Sequence, residues 1–219
     1  MKVSMTALAA TLLTAGAALA QDAAPPSMDP PPAGEYRLDP AHGSVIVHAN
    51  HMGFSSYPVR FTRFDVQLDF DPEEPEAMSV TAEIDPASLE THYPGGDVDF
   101  DAELTGPQWL DTEQYPAIRF VSDAVHLSGE KTAVVTGMLT FMGVERPVTL
   151  NVTYNGGYAG MAPYDPQARI GFSATGEFDR SDFGLVYGLP PEGTNFGVGD
   201  RVTVSIEAEL LGPPLEAAE

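Results

Sequence analysis

The 219 residues carry 32 Asp and Glu against 10 Lys and Arg, a formal charge of -22, and they contain no Cys. So acidic a chain excludes nucleic acid as a partner and disfavours electrostatic docking on an anionic lipid surface. Without Cys there is neither a disulfide framework nor a thiol for lipidation, so the domain must stand on its apolar core.

Residues 1–20 read as a cleaved signal peptide: Lys2 supplies a positive start, Ala7 to Ala18 a short apolar stretch, and Ala18-Leu19-Ala20 a small-x-small cleavage site. That stretch is too short to span a bilayer and no later one is long enough. The expected product is therefore exported, not membrane-spanning, and localised to the periplasm. Residues 21–34, with Pro25-Pro26 and Pro30-Pro31-Pro32, cannot pack a core and are expected to form a disordered linker. One barrel domain is then expected over 35–212, followed by a disordered tail at 213–219.

From Val45 onward the chain is written in period two, most cleanly where Val202, Val204, Ile206, Ala208 and Leu210 alternate with Arg201, Thr203, Ser205, Glu207 and Glu209. Strands are predicted at Val45–His51, Val59–Phe70, Met78–Ile84, Ile118–Leu127, Ala133–Phe141, Val148–Tyr154, Ile170–Phe178 and Val202–Leu210. Asp71-Pro72, Ser128-Gly129, Asn155-Gly156-Gly157 and the segment from Gly197 to Asp200 supply the turns. Between Phe61 and Phe64 the alternation slips, which predicts a bulge. The fold class that follows is all-β: an eight-stranded antiparallel barrel with one short helical insertion.

Two connections do not alternate. Within Asp85 to Pro116, residues Asp97 to Leu104 fit two helical turns ended by Gly106-Pro107 and packed on one barrel mouth. The other, Phe183 to Val198, is Gly-rich and carries exposed-looking Phe183, Leu185, Val186, Tyr187, Leu189 and Phe196. Such a loop in so acidic a chain points to contact with something greasy, or to a loop folded back on its own barrel.

The buried parity of the strands places Phe64, Phe70 and other large residues on one face, interleaved with small ones such as Ala82, Ser122, Ala124, Gly137, Ala174, Gly176 and Ala208. An eight-stranded barrel either fills with side chains or holds one small ligand. The small residues favour the second outcome; ordinary interdigitation remains the alternative. Almost no charge takes the inward parity, so a guest would be apolar. The residues expected to line the tunnel or its mouth are Val47, Ala49, Val66, Leu68, Ile84, Leu104, Trp109, Phe120, Gly137, Leu139, Phe141, Leu150, Phe172, Phe183 and Phe196.

Two stretches carry more than pattern. Leu139-Thr140-Phe141-Met142-Gly143-Val144-Glu145-Arg146-Pro147-Val148-Thr149-Leu150 resembles the hairpin signature of the YceI-like family, and Phe178-Asp179-Arg180-Ser181-Asp182-Phe183-Gly184-Leu185 resembles its later element. Tyr36 to Ser44, His51-Met52-Gly53, Leu110-Asp111 with Tyr115 to Phe120, and Val198 to Val204 match in order as well. The resemblance implies an exported lipocalin-like barrel whose tunnel holds a polyisoprenoid or similar long-chain lipid. One departure is Asp101-Ala102-Glu103-Leu104, where members often show Asp-x-His-Leu; a role resting on that His does not carry over.

Catalytic and metal chemistry find little footing. His42, His48 and His51 lie close in sequence, but along an extended strand His48 and His51 face opposite sides. Asp97-x-Asp99-x-Asp101 resembles half a calcium loop, yet Ala102 and Gln108 stand where Gly and Glu are needed. Ser173 misses a Gly-x-Ser-x-Gly elbow by one position. No catalytic residue, metal or cofactor is therefore expected. The sequence predicts a periplasmic binding protein that stores or transports a long-chain isoprenoid, a quinone among the candidates. Arg37, Arg60 or Arg180 are candidates to meet a polar head. Transient contact with a membrane or a redox protein, and a homodimer, stay open as partners. The rival readings are a small enzyme acting on a lipid headgroup through His42 or His51, and an acidic docking module for a basic redox partner.

Overall fold

Strand β1 (Gly34–His51) is 18 residues long and bends, because its two halves pair with two different strands. Its second half pairs with β2 (Ser55–Phe61) and its first half with β3 (Phe64–Phe70). These two are one chain direction broken at Thr62-Arg63, where the alternation slips. The expected bulge is instead a corner pinned from outside: the Thr62 N–H donates to the Ser88 carbonyl at 3.1 Å, and the Arg63 N–H to the buried Ser88 hydroxyl at 2.9 Å. β1 follows with a register shift between Leu38 and Gly43. Gly43 is required there, since a Cβ would stand 2.8 Å from the Phe64 ring.

The computed structural model describes residues 29–215. The remaining strands are β4 (Ser79–Ile84), β5 (Leu89–Glu90), β6 (Ile118–Leu127), β7 (Thr132–Phe141), β8 (Val144–Tyr158), β9 (Gln167–Asp179) and β10 (Val198–Pro214). They lie in the order β10-β9-β8-β7-β6-β4-β3-β1, all neighbours antiparallel, and β10 also pairs with β1. With β2 as the continuation of β3, this is a closed eight-stranded antiparallel barrel. Among the described residues its single α-helix is α1 (Phe100–Thr105), begun by Asp99, whose carboxylate accepts from the Ala102 N–H. It starts later than the predicted Asp97 because Asp99 acts as its cap.

The ladder is longer than the sequence pattern at both ends. Gly34 already pairs with Phe70, and Pro214 with Gln167. The Leu215 N–H donates to the Pro166 carbonyl at 2.7 Å. Residues 34 and 213–215 thus belong to the barrel and not to the linker and tail expected there, while the expected signal peptide, linker residues 21–28 and tail residues 216–219 lie outside the described residues. The bulge in β6 between Ser122 and Ala124 switches parity, so Val125, and not Ala124, is buried. Among the described residues no helix is long and apolar enough to cross a membrane.

One end of the barrel is sealed by packing. Tyr36 is fully buried with its ring 5.3 Å from Phe70, and its hydroxyl donates to the Pro32 carbonyl at 2.8 Å. Burial pushes its phenol up to about 12. The β1–β2 turn, the segment bearing α1 and the β9–β10 connection gather at the opposite end, the mouth.

Candidate functional site

The inward side chains form three zones along the barrel axis. At the sealed end, Tyr36, Phe70, Tyr154 and Phe172 follow one another with ring centroids 5.3, 6.2 and 5.4 Å apart, and Leu68 and Val66 pack into the same cluster. In the middle, Val47, Val59, Ala82, Ile84, Leu150, Val204 and Ile206 are small or aliphatic and only partly buried. At the mouth the side chains close in again as aromatics. Phe183 lies 5.5 Å from Phe141 and 5.2 Å from Phe178, and Trp109 meets Tyr187 edge-on at 5.1 Å.

The predicted lining residues divide among these zones. Val66, Leu68 and Phe172 belong to the sealed end, and Phe120, Leu139 and Leu150 to a wall cluster around Val135. Val47 and Ile84 of the middle zone pack on into the mouth cluster under α1, with Leu104 and Trp109. Ala49 stands opposite Tyr57 on the β1–β2 ribbon. Phe141 and Phe183 form the other mouth cluster, while Phe196 on the β9–β10 connection is 71% exposed and Phe54 after β1 is 83% exposed.

Gly137 is a correction. Its missing Cβ would stand 2.4 Å from the Val121 carbonyl and 2.6 Å from the Phe120 ring, so Phe120 already occupies the space that the glycine leaves. Gly176 is similarly covered by Leu150, at 2.7 Å. Interdigitation, the alternative left open by the sequence, is what the glycines do. The aliphatic positions between the aromatic ends are partly accessible, as are Tyr154, Phe172 and Phe178 at those ends.

Phe183 and Leu185 are a second correction: they look exposed in sequence and are 2% and 7% exposed in the fold. What folds them back is Arg180, itself 2% exposed. Its guanidinium donates to the carbonyls of Leu185, Tyr187, Val198 and Gly199 at 2.8–2.9 Å. It is therefore not available to a polar head; burial lowers its affinity for the proton without discharging it. The neighbouring motif residues complete the clamp. The Ser181 hydroxyl donates to Asp200 at 2.8 Å, and Gly184 takes a left-handed φ of 88° that ends the turn. Val186, Tyr187 and Phe196 stay exposed beyond it. Arg37 lies near the sealed end, opposite Gln67 and Leu211, and Arg60 is exposed on β2, beside Glu90. Sequence reasoning could have found Arg180 only from its place inside a motif, because nothing in the pattern marks a cation as buried.

The polar clusters lie outside the interior. Near the sealed end His42 Nδ1 is 2.9 Å from Asp39, and Asp39, His42 and Glu209 form the one group among the described residues with metal-like spacing. The Arg169 guanidinium already fills it, 2.8 Å from Asp39 and 2.7 Å from Glu209. With those bonds and His42, the Asp39 carboxyl is held down to about 2. In the half calcium loop, Asp99 caps α1 and Asp101 accepts from the Thr91 N–H at 3.0 Å, so neither is a free ligand. Two open recesses of about 760 and 610 Å³ are lined largely by polar residues of the outer wall, including Asn151, Thr175, Glu177 and Thr203 in one and Asp65, Gln67, Thr81 and Glu83 in the other.

The hairpin between β7 and β8 turns through Met142 and Gly143, both at positive φ (49° and 74°), which fits the tight two-residue turn its motif requires. This hairpin and the Arg180 clamp are the stretches that carry the family resemblance, and the YceI-like domain matches residues 36–210. The chain belongs to the YceI-like family. A UPF0312 protein of Pseudomonas putida is 37% identical over 181 residues, which cover 82% of this chain and 84% of that one. Among solved structures, BcnA of Burkholderia cenocepacia superposes with a TM-score of 0.66 at 27% identity, covering 78% of this chain and 98% of its own. A polyisoprenoid binding domain from Saccharophagus degradans superposes with a TM-score of 0.56 at 16% identity, over 81% and 98% of the two chains, which shows the shared fold.

Proposed function

We propose that this YceI-like barrel binds the chain of a polyisoprenoid or similar long-chain lipid along its axis and stores or carries it through the periplasm without turning it over. The observation that carries the reading is the middle zone, where aliphatic side chains keep accessible surface between two aromatic closures. An apolar guest there gains about 0.8 kcal/mol per buried methylene, or roughly 3 to 4 kcal/mol gross per isoprene unit. A few buried units therefore outweigh the cost of ordering the chain. Further support comes from the polyisoprenoid binding domain that shares the fold, and from the leader-like first twenty residues for the periplasmic setting.

In this reading the lipid enters at the mouth. The sealed end is tied by Tyr36 to both termini of the barrel, whereas the mouth is covered by Phe183, Leu185 and Trp109 on connections rather than on strands. Exposed Phe54, Val186, Tyr187 and Phe196 surround it and offer the first apolar contact. Uptake requires the β9–β10 connection to move aside. Mass spectrometry of a solvent extract from gently purified protein tests the reading: a stoichiometric long-chain isoprenoid, an isoprenoid quinone included, is expected. Protein that carries no lipid from its host and takes up none when offered would overturn it.

A further inference from the structure

Trp109 is the single tryptophan of the chain. It packs against both mouth clusters at once, with the Arg180 guanidinium 5.8 Å from its ring centroid. Among the described residues its Nε1 is the one side-chain polar atom that is closed off from solvent and has no hydrogen-bond partner. Buried donors are nearly always paired, because an unpaired one forfeits its hydration for nothing. A donor left unpaired in the closed mouth is suited to an acceptor that arrives with a ligand.

The charge around it restricts that acceptor. The connections at the mouth, residues 52–54, 91–117 and 184–197, contain no Lys or Arg and carry Asp97, Asp99, Asp101, Glu103, Asp111 and Glu192 among their acids. The bonds of Arg180 go to main-chain carbonyls. A phosphate or carboxylate head would meet like charges on these connections and no Lys or Arg among them. We propose that the Trp109 Nε1–H donates to an uncharged carbonyl oxygen on the head of the bound isoprenoid, a head of the quinone type. This rests on the reading of the barrel as an isoprenoid carrier and specifies the end of the ligand that stays at the mouth.

The test uses the complete folded protein and three probes: a short-chain ubiquinone, squalene as an isoprenoid without a head, and farnesyl phosphate as one with an anionic head. Calorimetry on Trp109→Phe, which keeps an aromatic ring but loses the donor together with part of the indole's volume, is expected to show ubiquinone binding about 5- to 30-fold weaker, with squalene, which reads the volume loss alone, binding within about twofold of the parent. In the parent protein the lone indole N–H resonance should shift downfield with ubiquinone and not with squalene, a readout that needs no variant. Unchanged ubiquinone affinity in a folded Trp109→Phe, an indole resonance that ignores ubiquinone, or tighter binding of farnesyl phosphate than of ubiquinone would each overturn the proposal. If none of the three binds the parent protein, the carrier reading itself fails and takes this inference with it.

Discussion

The guanidinium of Arg180 sits 5.8 Å from the centre of the Trp109 ring and ties together four carbonyls from both ends of the β9–β10 connection. One buried cation thereby shapes the cover of the mouth and props the indole that faces it. Arg180→Leu strands those carbonyls and is expected to destabilise the fold by about 3 kcal/mol or more. Arg180→Lys presents its donors from a single point and is expected to recover only part of that. Thermal denaturation reads both, and hydrogen exchange over residues 184–199 should rise before the rest of the barrel; equal protection in Arg180→Leu and the parent would refute the clamp.

Room inside the barrel can be probed by adding bulk at two places. Gly137→Ala drives a methyl against the Val121 carbonyl and is expected to cost about 2 kcal/mol or more. Val204, opposite Val47 and Gly176, is only partly buried. Val204→Phe should cost under about 1 kcal/mol while lowering lipid occupancy at least severalfold. Denaturant melts and lipid extraction compare the two. A Val204→Phe barrel as unstable as Gly137→Ala would show the middle zone to be filled.

The β1–β2 tip and the β9–β10 connection meet where the Met52 N–H donates to the Gly197 carbonyl at 2.9 Å. A Cβ on Gly53 would lie 3.7 Å from that of Asn195, inside the range a disulfide accepts. Gly53→Cys with Asn195→Cys, in a chain without other Cys, should form a staple across the mouth, at a strain of about 1 kcal/mol for a side chain at the positive φ of residue 53. Lipid uptake by the oxidised protein is expected to slow at least tenfold and to recover on reduction. Equal uptake rates in both states would mean that this connection does not gate the mouth.

Acid should loosen the outer wall before it touches the core. The Asp39 carboxyl is held at about 2 against an ordinary 3.8, chiefly by its hydrogen bond to Arg169 and then by that to His42. A depressed carboxyl contributes its full stability above about pH 4 and loses it as the pH falls towards about 2. The melting temperature of the parent should therefore exceed that of Asp39→Asn at neutral pH by a gap that closes over that window. A gap independent of pH would dissociate Asp39 from the acid response.

Much of the barrel was legible because a half-buried strand must alternate, and the run from Val202 to Leu210 could hardly be anything else. The first strand was read too short because Pro40 and Gly43 interrupt its alternation, although Tyr36 and Leu38 resume the buried face. A pattern also cannot show a partner distant in sequence. Ser88 makes the corner at Thr62-Arg63, and Arg180 turns Phe183 and Leu185 inward, from positions that no periodicity connects. Gly137 misled for a related reason: a missing side chain reads as space, whereas in the fold the Phe120 ring is what the absence accommodates. The aliphatic middle, Val47, Ile84, Val204 and Ile206, was legible from parity alone.

The barrel is sewn shut by its first and last strands, with Leu38 facing Leu210 and Val45 facing Ile206 across the seam. That ladder has no second side until the final stretch of polypeptide exists, so the wall stays an open sheet until then. A chain cut short before Arg201 would expose the bare edges of β1 and β9 to neighbouring molecules. The oily interior is thus withheld until the molecule is complete, and a nascent fragment has nowhere to keep a lipid.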